Sequence, residues 1–166
     1  MIFGMSTATY TLLHVIISVV GIGSGLGVLY GLLKGKRFDG MTALFLVTTV
    51  ATSVTGFGFP FDHLLPSHIV GIISLVALTI AILGRYVFHL AGAWRGIYVV
   101  SAMISLYLNV FVLVVQCFEK VSNLHALAPT QKEPPFLVAQ IVVMVLFIAL
   151  TILAAKKFRV ESLRRA

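Results

Sequence analysis

Two histidines set in apolar runs, His14 and His68, are the residues best suited to chemistry, because an imidazole can ligate a metal, accept a hydrogen bond or pass a proton near neutral pH. A second pair, Asp62 and His63, lies in the stretch Thr55-Gly-Phe-Gly-Phe-Pro-Phe-Asp-His-Leu-Leu-Pro-Ser-His68, between two apolar segments. Imidazole and carboxylate together suit zinc or copper, so His14, Asp62, His63 and His68 form a candidate transition-metal set. His14 and His68 alone meet the basic requirement of a b-type haem, which takes two axial imidazoles from facing helices, and Gly71, one turn from His68, leaves space. Two readings need no cofactor. The same side chains, with Asn109, Gln116 and Gln140, could line a pocket for a small or lipid-like ligand, or serve only as hydrogen-bond glue between helices, worth about 0.6 kcal/mol each.

Other chemistries lack their residues. There is no GxSxG elbow, no HExxH and no aspartate inside an apolar run, so hydrolytic chemistry is poorly supported. Ion-coupled transport normally needs ionisable groups near the membrane midplane, and these are missing too. Gly21-Ile-Gly-Ser-Gly-Leu-Gly27 resembles a dinucleotide fingerprint in spacing only, since it falls mid-helix with no strand before it. Enzymatic activity would therefore hinge on a bound haem or metal.

Composition dictates what must position these groups. With 60% hydrophobic and 10% charged residues, the 166-residue chain has the composition of one membrane domain. A spanning helix needs about 20 mostly apolar residues. Five segments qualify: 8–33, 42–59, 67–90, 94–118 and 136–155. The second is diluted by Thr48, Thr49, Thr52, Ser53 and Thr55, but charge placement argues for it. With five spans, Lys34, Lys36, Arg37, Arg85, Arg95, Lys156, Lys157, Arg159, Arg164 and Arg165 share one side and only Lys120 and Lys132 fall on the other. The expected fold is an all-α bundle of five transmembrane helices in the plasma (inner) membrane, N-terminus outside and C-terminus cytoplasmic.

The net charge of +7 then reflects topology and anionic headgroups, and nucleic acid is not an expected partner. The expected partners are the bilayer and a second copy or a larger membrane complex. Cys117, the single cysteine, excludes an intrachain disulfide.

Helical spacing predicts which faces avoid lipid. Tyr98, Ser101, Ser105, Asn109 and Gln116 form one stripe on the fourth span. His14, Ser18, Gly21 and Gly25 repeat the rhythm on the first, where the glycines allow close helix approach. By depth, His14, His68, Gln116 and Gln140 belong to one outer-leaflet layer, with Asp62, His63 and His125 above it. His14 and His68 are expected to meet, or to share a ligand, under the turn 57–66. Arg85 and Arg95 are expected to snorkel to the surface near His89, and Pro129, Pro134 and Pro135 to keep the outer loop 119–135 extended.

Overall fold

The computed structural model describes residues 1–2, 4–60 and 66–163, with side chains for 1–2, 4–60 and 67–158. Asp62, His63 and the far half of the turn 57–66 therefore lie outside the described residues. The chain runs α1 (Thr7–Leu33), α2 (Asp39–Gly56), α3 (Pro66–Ile82), a π-helical turn (Leu83–Val87), α4 (Trp94–Lys120), α5 (Ser122–Leu127) and α6 (Pro134–Leu163), with no β-strand among the described residues. Four stretches, Thr7–Leu33, Ser67–Val87, Trp94–Lys120 and Pro134–Phe158, are long and apolar enough to cross a membrane.

Local chemistry sets the ends. Ser6 caps α1 by accepting the Thr9 N–H at 3.1 Å. Gly35, at φ 64°, turns the chain out of α1, and the Lys36 N–H donates to Gly31 O at 2.9 Å. Pro134 is the first residue of α6 rather than a loop residue. Its missing N–H costs nothing there, because the first turn of a helix has no acceptor for it. The outer loop is also less extended than expected, since α5 occupies six of its residues.

Just before Pro134, the Glu133 carboxylate accepts hydrogen bonds from the Thr130 N–H, the Thr130 hydroxyl and the Lys132 N–H. Desolvation pushes its pKa up, but these bonds together outweigh it and hold the carboxyl below its ordinary value. A depressed folded pKa gives stability that is present above the unfolded value and lost as pH falls through the folded one. Acidification should therefore loosen this turn. Amide exchange at Thr130 and Lys132, compared with Leu127, measures it, and equal acceleration at all three would contradict it.

Side-chain contacts show that long helices adjacent in sequence, and the pairs α1–α4 and α4–α6, run antiparallel. A methyl built on Gly21 would meet Thr48 and Thr49, one on Gly25 would meet Phe45 and Leu106, and one on Gly31 would meet Phe38, which lays α1 along both α2 and α4. Ser53 donates to Ser74 between α2 and α3, Gly84 packs against Trp94 and Tyr98, and Gln140 of α6 reaches Phe111 of α4. The core of Phe45, Leu78, Tyr98, Val99, Met103 and Leu106 lies between these helices. The hydroxyls that dilute α2 are explained by its position: Thr42, Thr49, Thr52 and Ser53 are buried against neighbours while Val47 and Val54 face outward. In an apolar medium, close van der Waals contact and satisfied polar groups hold helices together, so a helix rich in hydroxyls can pack firmly against its neighbours.

Among the described residues, two turns carry backbone strain. After the π-helical turn, His89 and Leu90 have φ of 49° and 61°, and each non-glycine residue there costs roughly 1–2 kcal/mol. The strain is held by the burial of Leu90 and by its N–H donating to Gly84 O at 2.9 Å. Gln131 repeats the conformation at φ 58°.

Candidate functional site

The α4 stripe faces inward for most of its length: Tyr98, Ser101 and Ser105 are buried and Asn109 is half-buried. Ser101 and Ser105 satisfy their hydroxyls on backbone carbonyls one turn back, at 2.8 and 3.0 Å. Asn109 reaches the α1–α2 seam, where its Nδ2 and the Thr49 Oγ1 border the space above Gly21, and neither atom has a hydrogen-bond partner among the described residues. Gln116 leaves the stripe and donates to Glu119 on its own helix at 3.2 Å.

At the end of the bundle opposite the basic loops, the C-terminal turn of α2 organises the histidines. His14 Nδ1 lies 2.8 Å from Thr55 Oγ1, and the Tyr10 hydroxyl donates to Thr55 O at 2.7 Å. Phe59 sets its ring edge-to-face against both Tyr10 and His14, with centroids 5.1 and 5.3 Å apart. On the other side, Phe57 stacks on His68 at 5.4 Å and fills the space over Gly71.

His14 and His68 thus share a level, but they sit against opposite faces of α2. Residues 55 and 59 point toward α1, whereas residues 53 and 57 point toward α3, about half a helical turn away. The expected meeting of the two imidazoles is not what the described residues form. Phe59 packs on His14 and Phe57 on His68, each on its own face of α2, and Gly71 makes room for Phe57 rather than for a macrocycle. No group of three or more His, Cys, Asp or Glu side chains placed to hold a metal occurs among the described residues. Haem or metal binding therefore has no geometric support there, and Asp62 and His63 lie outside them.

Two further expected residues, Gln140 and His125, attach to α4 at different points. Gln140 is buried and donates from Nε2 to Phe111 O at 3.2 Å, and His125 Nδ1 lies 3.3 Å from Phe118 O in the cap made by α5. No described hydrogen bond or ring contact links either residue to His14 or His68.

Hydrogen positions at His14 follow from its neighbour. The Thr55 hydroxyl donates its proton to Ala51 O at 2.7 Å, so its oxygen accepts from His14 Nδ1–H. The lone pair then resides on Nε2, which has no protein partner among the described residues. A half-buried imidazole with its tautomer fixed in this way is a directed hydrogen-bond acceptor beside two aromatic rings. Sequence spacing located His14; it missed Tyr10, Thr55 and Phe59. Thr55 and Tyr10 were legible only as an intramembrane hydroxyl and an aromatic at the same depth as His14.

No protein-family model, no curated protein and no solved structure matches this chain. By length and composition, four of its helices are compatible with a multi-pass membrane protein.

Proposed function

We propose that this is a five-span plasma-membrane protein with its N-terminus outside and its C-terminus cytoplasmic, whose outer-leaflet end binds a small neutral or lipid-like ligand, alone or as an accessory subunit of a larger assembly. The fifth span is α2, long enough at 18 residues to cross most of the hydrocarbon core, with its hydroxyl face packed against its neighbours. Sidedness rests on the basic residues gathered at the α1–α2 loop, the α3–α4 corner and the end of α6.

The observation that carries the ligand reading is the free Nε2 acceptor of His14 beside Phe59 and Tyr10. It suits a ligand that offers one hydroxyl or amine donor and an apolar body. Mass spectrometry of molecules that co-purify with the protein tests this. A species retained by the native chain and lost from His14→Ala, with little change in melting temperature, is the expected result. Identical extracts from both proteins, with a stability loss alone, would reduce His14 to a hydrogen bond between helices.

A further inference from the structure

At the basic end of the bundle, Arg37, Asp39, Arg85, Tyr86, His89 and Leu90 line a cleft of about 180 Å³ between the α1–α2 loop and the α3–α4 corner. We propose that this cleft holds the phosphate of an acidic phospholipid headgroup. Arg85 was expected to snorkel to the surface. Instead its side chain is only 8% exposed, bonded through Nη2 to Asp39, with its guanidinium 5.7 Å from the Tyr86 ring and 5.5 Å from that of Tyr98. Asp39 itself is 79% exposed, so the cation is enclosed while most of its counter-charge is in solvent. A guanidinium carries five N–H donors, and the Asp39 contact engages only one of its two terminal nitrogens.

Arg37 adds a second cation, and neither it nor His89 has a hydrogen bond or ion pair among the described residues. Two arginines against one aspartate leave the cleft positive before His89 is counted. At roughly 30 Å³ per water, a volume of this size holds about six waters, room for a phosphate group with part of its hydration shell.

Backbone strain points to the same place. His89 is held at φ 49° on the rim, a conformation glycine would adopt without penalty, and strained residues of this kind cluster where a side chain must be aimed.

The surroundings favour a lipid over a soluble anion. Tyr86, Val87 and Leu83 beside the cleft are 49%, 56% and 38% exposed, an apolar wall on which acyl chains would lie. Phe88 stacks on Trp94 at 3.9 Å, the kind of aromatic pair found at headgroup depth. Basic pockets between helices at a membrane face take anionic headgroups.

The test uses the full chain in nanodiscs and measures retention of phosphatidylglycerol against phosphatidylcholine by native mass spectrometry. Three variants separate the causes. Arg37→Gln and His89→Gly should each weaken phosphatidylglycerol retention, the former by roughly fivefold. His89→Gly should do so with an unchanged or higher melting temperature, because it relieves the strained turn. Lys36→Gln removes an exposed charge from the same loop without touching the cleft and should leave retention unaltered. Equal losses from Lys36→Gln and Arg37→Gln would show diffuse attraction and overturn the site. Displacement of the lipid by millimolar inorganic phosphate would overturn the lipid assignment, and so would equal retention of the two lipids by the native chain.

Discussion

Gly25→Ala should destabilise the bundle by about 1–3 kcal/mol, and Gly23→Ala should leave it unchanged or slightly more stable. The two glycines are two residues apart on α1 but face different surroundings. A methyl on Gly25 would lie 2.5 Å from Leu106 Cδ1 and 2.9 Å from the Phe45 ring, whereas one on Gly23 meets nothing within 4 Å. Leu106 and Phe45 are both fully buried, so neither can swing into open space. A second substitution supplies the mechanism: Leu106→Ala opens room for the new methyl, so the double variant should lose less than the sum of the single losses. Additive losses by thermal unfolding in detergent would show that the contact is not the cause.

His68→Ala should cost about 2–4 kcal/mol, and His14→Ala markedly less, although the two histidines lie at the same level of the bundle. His68 is 3% exposed and stacked on Phe57, which itself packs over Gly71, so truncation leaves a hole that a phenyl ring must cross to fill. His14 is half-buried with one ring nitrogen unbonded among the described residues, and its loss removes chiefly the hydrogen bond to Thr55. Equal costs for the two would contradict the division between a structural histidine and one available to a ligand.

Much of this architecture was legible in the residues. Apolar run length places α1, α4 and α6 within a few residues of their observed starts, and the spacing of Tyr98, Ser101 and Ser105 identifies the inward face of α4. Residues per turn convert directly into ångströms, and His14 and His68 both reach residues 55–59 at the end of α2. Direction around the helix was not legible. Periodicity says which face of α1 or α3 is polar, but not which neighbour that face meets, and the aromatic residues of 57–59 that separate the histidines act through packing that no spacing rule expresses. At the basic end, Arg85 read as a snorkelling cation because its partner lies 46 residues earlier. An aspartate within a loop otherwise made basic for topology was the available signal, and it pointed to Asp39.

The account depends on α2 crossing the membrane, which brings the α1–α2 loop and the α3–α4 corner to one side. Single cysteines at Lys36→Cys and Ala91→Cys, in a Cys117→Ser background, test this with a membrane-impermeant maleimide on intact cells, using Asn123→Cys as the opposite-side reference. The five-span topology predicts that positions 36 and 91 are both protected until the membrane is permeabilised, while position 123 is labelled at once. Labelling of only one of positions 36 and 91 in intact cells would contradict it, removing α2 from the spans and dismantling the paired-arginine cleft.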